Sequence, residues 1–117
     1  MGNFQKLRVW QLAKDLAVRI YKLTQMKDFS RDYGFKDQVQ RSAVSIPSNI
    51  SEGDELDTDK QSVRFFYIAK ASAAELLTQV IIANEIGYIE KEEADKLTND
   101  CRVISVMLTK LIKARSA

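Results

Sequence analysis

The sequence predicts an all-α protein, a single-domain antiparallel up-down-up-down four-helix bundle spanning residues 1–117. Three observations carry this. Apolar residues recur at three- and four-residue spacings along four long stretches, the period of a helix with a buried face. Four glycines and one proline leave few chain breakers, which favours long helices over a turn-rich β fold. A chain of 117 residues, 45% hydrophobic and 29% charged, has the size and balance of one ordinary globular domain. Its single cysteine allows no internal disulfide, so a reducing cytoplasm is the expected setting. No apolar run approaches a membrane span, no signal-peptide core is present at the N-terminus, and no membrane partner is expected.

Helix one is predicted from Leu7 to Gln25, with Val9, Leu12, Ala13, Leu16, Ile20 and Leu23 as its core stripe. Trp10, Ala17 and Tyr21 widen the apolar arc to roughly half the circumference, beyond the ~100° that one bundle face needs. Single surface aromatics are common and flank many cores. An arc this wide points instead to a second buried surface, a contact between subunits. On the opposite side Arg8, Arg19 and Lys22 fall within about 60° of one another, with Asp15 among them. Met26 to Lys36 then reads as a linker, holding Asp28, Ser30, Asp32 and Gly34. Asp37 would favour the next helix N-terminus electrostatically.

Helix two is the stretch Gln38 to Gly53, with Val39, Ala43, Ile46 and Ile50 on one face. Pro47 lies inside it, lacks an N–H for the Ala43 carbonyl and crowds that group, at a cost of about 3 kcal/mol. Because the apolar spacing keeps phase across Pro47, one helix kinked there is expected rather than two short ones. Ser45 and Ser48 are placed to satisfy part of the freed backbone. Small residues here let a neighbouring helix approach closely. Asp54, Glu55, Asp57 and Asp59, following Glu52, read as an exposed acidic turn. As a calcium loop the run fails, with no glycine and no glutamate at the required positions.

Helix three is predicted from Asp59 to Ile86, opened by Thr58 and Gln61 at capping-box spacing and closed by Gly87. It is the most apolar segment. Phe65, Phe66, Ala69, Ala73, Leu76, Leu77, Val80, Ile81 and Ala83 cover over half its circumference, and Ile68, Ala71 and Ile82 intrude on the rest. Such a helix should be buried by more than its own three neighbours. Phe65, Ile68 and Ile82 are therefore candidate interface residues, alongside Trp10, Ala17 and Tyr21. Asn84 needs a hydrogen-bond partner or marks an interface, and Glu75 is expected in a structural hydrogen bond or ion pair rather than as a catalytic acid. Helix four, Lys91 to Ala114, repeats Ala94, Leu97, Cys101, Ile104, Leu108 and Leu111, with an acidic start and a basic end that suit the helix dipole. Cys101 reads as a small core hydrophobe.

Ala43-Val44-Ser45-Ile46-Pro47-Ser48-Asn49-Ile50, followed by Glu52-Gly53, resembles the signature of four-helix bundle proteins encoded within intervening sequences of bacterial 23S ribosomal RNA genes. Val9-Trp10-Gln11-Leu12-Ala13, Tyr33-Gly34, and the later Phe65, Ile68, Ala69, Glu75, Leu76, Gln79, Gly87 and Tyr88 fit the same family pattern, over nearly the whole chain. The resemblance implies a homopentamer. It also implies a distant similarity to the accessory variability proteins of diversity-generating retroelements, basic barrels that engage nucleic acid and a reverse transcriptase. Gln40 departs from the family, standing where relatives often carry the first arginine of an Arg-Arg pair.

Chemistry is constrained by what is missing. With no histidine the chain has no Ser-His-Asp or Cys-His pattern, no His-ligated metal and no Glu-x-x-His di-iron pair. No Gly-rich phosphate loop is present, no cofactor is expected, and an enzyme is the least favoured class. The net charge of +2 does not by itself imply nucleic acid. Basic residues are uneven, however: residues 1–27 hold six (Lys6, Arg8, Lys14, Arg19, Lys22 and Lys27) against the single acid Asp15. Arg41, Lys60, Arg64 and Lys70 could join them in space, so Arg8, Arg19, Lys22, Arg41, Lys60 and Arg64 are the candidate nucleic-acid contacts. Repeated round a ring, a weak patch of this kind gains avidity toward structured RNA or DNA. The competing expectation is a protein-interaction scaffold, with every such cation on a solvated face. Ultraviolet absorbance of the purified protein separates them, since a nucleic-acid binder carries bound nucleic acid with it.

Overall fold

The computed structural model describes residues 3–56 and 58–116. Four helices, α1 (Arg8–Leu23), α2 (Tyr33–Glu55), α3 (Asp59–Glu85) and α4 (Lys91–Ser116), make a rod of 44 × 20 × 20 Å. Short 3₁₀ turns at Phe4–Lys6 and Lys27–Arg31 precede α1 and α2. The helices pack in the cyclic order α1, α2, α3, α4, so α1 and α3 are diagonal. Side-chain bonds fix the directions. Ser42 meets Glu75, Ser45 meets Ser72 and Ser62 meets Gly53, which makes α2 and α3 antiparallel. Arg115 near the end of α4 lies over Phe66 near the start of α3, and Thr24 at the end of α1 accepts from Gln40 early in α2. The topology is up-down-up-down, as the short connections predict.

The core is drawn from the expected stripes. Ala13, Leu16, Ile20, Val39, Ala43, Ile46, Ile50, Phe66, Ala69, Leu76, Leu97, Cys101, Ile104 and Leu108 are all buried. α2 stays continuous through Pro47, which is itself buried. It also starts earlier and ends later than its apolar pattern suggests. Asp32, not a residue near Asp37, is the cap, accepting the Phe35 N–H at 3.3 Å. Much of the expected linker is therefore helical, and Phe29, Phe35 and Tyr88 stack beneath it to tie the turn to the core. At the other end Gly53 does not stop the helix. A Cβ there would lie 2.7 Å from the Phe66 ring, so glycine serves close packing with α3.

Three further expectations are corrected. Ser45 does not mend the backbone around Pro47: its hydroxyl pairs with Ser72 on α3 at 2.7 Å. Asp54 is not in an exposed turn, but buried in the last turn of α2, where it accepts from Arg115 at 2.8 Å. Asp57 lies outside the described residues. α3 does reach the length and apolarity of a bilayer span, with a window of mean hydropathy 1.4, of which 39% is buried inside the bundle. Elsewhere the local signals hold. Thr58 caps α3 by accepting from Gln61 N. α3 ends in a Schellman turn: Gly87 has φ 85°, Tyr88 N–H donates to Ala83 O, and Gly87 N–H donates to Asn84 O.

Candidate nucleic-acid and assembly surfaces

The six candidate cations do not form one patch. Arg19 turns toward α4 and ion-pairs with Asp100, both side chains half-exposed. Arg41 pairs with Asp37 one turn away on α2 at 2.9 Å. Lys22 is exposed on the rim of a cleft of about 450 Å³ that also holds Arg19, Met26, Lys27, Tyr88 and Glu93. Arg8 is exposed in the first turn of α1. Lys60 and Arg64 are exposed on α3, across the bundle diagonal from α1, so they do not extend the α1 group. Gln40 has a structural task, donating to Thr24 Oγ1 at 2.9 Å and stitching α1 to α2.

The six candidate interface residues also divide. Ala17 is buried inside the single chain. Trp10 is half-buried and meets Phe4 edge-on, with ring centroids 5.3 Å apart. Phe65 is half-buried beside Phe4, Ser51 and Leu56. Tyr21, Ile68 and Ile82 remain exposed at 41%, 40% and 44%. Sequence reasoning missed Val18, Val44 and Ile86, which are exposed to a similar degree. On α3 the sum is a single seam: Phe65, Ile68, Ser72, Glu75, Gln79, Ile82 and Ile86 alternate three- and four-residue steps along the edge facing α2. Gln79 on that seam is buried, and its Oε1 accepts no hydrogen bond among the described residues. An orphan acceptor of this kind costs about 1–3 kcal/mol when water is excluded.

No reacting centre is assembled among the described residues. Glu75 accepts from Ser42 Oγ at 2.8 Å, and Asn84 Nδ2 donates to Ile89 O at 3.0 Å, the structural partners their positions demand. Cys101 is buried, and burial pushes its thiol up to about 12, far from a reactive thiolate. Tyr88 is raised by its hydroxyl bond to Asp32, which keeps the phenol protonated as a donor. No group of three or more metal-ligating side chains comes together among the described residues.

What the fold defines is a small antiparallel four-helix bundle. Residues 5–110 match the 23S rRNA-intervening sequence protein family, and the chain belongs to that family. Among solved structures it is similar to a crystal structure of a protein of unknown function from the S23 ribosomal protein family of Bacteroides thetaiotaomicron. That likeness has 26% identity and a TM-score of 0.82, over 90% of this chain and 98% of the other. No curated protein matches the sequence.

Proposed function

We propose that the protein is a non-enzymatic bundle that assembles into a closed oligomer, a pentamer by its resemblance to relatives, and binds structured RNA through the assembled surface. The observation that carries assembly is the α3 seam: Ile68, Ile82 and Ile86 lie open to solvent beside the orphaned Gln79 acceptor. A subunit seated there would cover the isoleucines. Support for RNA comes from the cations that remain without internal partners among the described residues, and from the ribosomal RNA context in the family's name. Light scattering at micromolar concentration, together with anisotropy of a labelled RNA hairpin across a salt series, tests both parts. The expected results are a mass several times that of the chain and an affinity falling log-linearly with salt. A monomer overturns the assembly. Absence of RNA binding at low salt overturns the RNA reading.

A second reading is favoured by one observation: Arg19 and Arg41, two of the six candidate cations, are already neutralised by Asp100 and Asp37. On that reading the oligomer is a protein-interaction scaffold, and its exposed aliphatics receive a protein partner. An oligomer of the expected mass that ignores both RNA and DNA would select it.

A further inference from the structure

Exposed positive charge is concentrated in one region that the sequence pattern of α1 does not reveal. Between Lys60 and Ala74 on α3, and from Cys101 to the end of the chain, there is no Asp or Glu at all. Antiparallel packing sets these two stretches side by side, with the Arg115 guanidinium over the Phe66 ring. Lys60, Arg64, Arg102, Lys110 and Lys113 are exposed and Lys70 is half-buried. None of these six enters an ion pair among the described residues. Arg115 is the exception, held by the buried Asp54. Carboxylates resume at the margins, with Glu52, Glu55, Asp57 and Asp59 in sequence before Lys60 and Glu75 and Asp100 at the far edge.

The spacing makes the two stretches into stripes. Lys60, Arg64, Tyr67 and Lys70 follow steps of four, three and three along α3, while Arg102, Val106, Lys110 and Lys113 follow four, four and three along α4. Residues so spaced share a helix face. Tyr67 stands within the α3 stripe at 56% exposure, with Val106 at 55% on α4. An exposed tyrosine between cations is a stacking platform, since its ring can take an unpaired base while neighbouring ammonium groups take phosphates. From Lys60 to Lys70 the helix rises about 15 Å, the axial rise of about four phosphates along one strand of a duplex.

We infer that this α3/α4 face, and not the α1 face, contacts RNA, with the cations on backbone phosphates and Tyr67 beneath an unpaired base. The inference rests on the RNA-binding reading above and locates it. The first half of α4, with Glu92, Glu93 and Asp95, is repelled by the same ligand and sets its limit along the rod.

The test uses the full chain and two labelled RNAs, a hairpin with an open loop and a fully paired duplex. The variant Lys60→Ala/Arg102→Ala/Lys110→Ala/Lys113→Ala, all exposed positions, is compared with Arg8→Ala/Lys22→Ala, each checked for helicity by circular dichroism. The α3/α4 variant is expected to weaken hairpin binding about tenfold or more and to flatten the salt slope by about 0.7–0.9 for each phosphate no longer neutralised. The α1 variant is expected to stay within about twofold, because its cations do not touch phosphate. Tyr67→Leu should abolish the preference for hairpin over duplex while leaving duplex affinity intact. If the wild type binds and the α1 variant carries the loss of affinity, RNA binding stands and this face is the wrong one. If the wild type binds neither RNA at low salt, the RNA reading itself falls, and with it this assignment. Retention on phosphatidylserine vesicles in that case would give the face to an anionic membrane.

Discussion

The α2/α3 and α4/α1 seams do the same job with different materials. Between α2 and α3 the contacts are short and small: Ser42 to Glu75, Ser45 to Ser72, and Ser62 to the Gly53 carbonyl at 2.6 Å. Gly53 is in van der Waals range of Phe66 only because it lacks a Cβ. Between α4 and α1 the polar tie is one half-exposed ion pair, Arg19 with Asp100, flanked by a cleft that holds Leu12 and Val103. Small hydroxylated residues allow two helices to approach closely and to satisfy each other's polar groups. A long guanidinium bridging to a carboxylate holds its helices further apart and leaves solvent access. The first seam is held by several short polar contacts, and the second by one ion pair.

Substitutions can break that contrast at graded cost. Phe66→Ala, at a fully buried ring between α2 and α4, is expected to destabilise by about 3–5 kcal/mol, read as a lower urea midpoint. Gly53→Ala adds only a methyl and improves helix propensity by up to about 1 kcal/mol. It should nonetheless destabilise by a net of about 1–3 kcal/mol, because the Phe66 ring is buried and covered by Arg115 and cannot retreat. A neutral result would show the seam to be loose. Alkaline titration comes next. The folded thiol of Cys101 sits near 12 while the unfolded one ionises near its ordinary value of 9. The raised pKa costs nothing below pH 9, where both forms are protonated, and it draws stability away as the pH rises toward 12, with a slope of at most about 1.4 kcal/mol per pH unit. Cys101→Ala should remove that part of the decline.

Arg19→Ala is expected to have the smallest effect, below about 1 kcal/mol and shrinking further in high salt. Its informative readout is local. Cys101 follows Asp100 directly, so loosening the α4/α1 seam should speed Cys101 labelling by a thiol reagent with little change in the urea midpoint. Equal labelling rates in wild type and variant would mean that Cys101 is exposed only by global unfolding, and that the two seams do not differ.

How far the molecule is legible from its sequence depends on the reach of each interaction. Helix number, the core stripe, the Thr58 cap and the Gly87 turn follow from spacings of three to five residues, and the structure repeats them. The early start of α2 is hidden because Gly34 resembles a breaker, while the cap that overrides it is Asp32. Asp54 looks like part of an acidic run because its partner Arg115 is 61 residues away. The grouping of Arg8, Arg19 and Lys22 is correct as helical phase, yet phase does not say that the Arg19 side faces Asp100. Nor does it say that Lys60 and Arg64 lie diagonally across the bundle. The orphaned Gln79 acceptor has no local signal beyond its place on a three-four repeat.

The same bonds also carry an order of events. The α2/α3 bonds join residues 9, 27 and 33 apart in sequence, whereas Arg19 and Asp100 are separated by 81. Loop-closure entropy favours forming the near pairs first, and helical bundles with such local pairings fold fast. Docking of α1 against α4 is then expected to be the last closure, after the folding barrier. Its loss should quicken unfolding and leave the refolding rate unchanged, so that Arg19→Ala moves only the unfolding arm of a chevron. A slower refolding arm would place the closure of the ring before the barrier. On the expected result, the α4/α1 seam governs how long a folded molecule lasts, and the α2/α3 seam how quickly it forms.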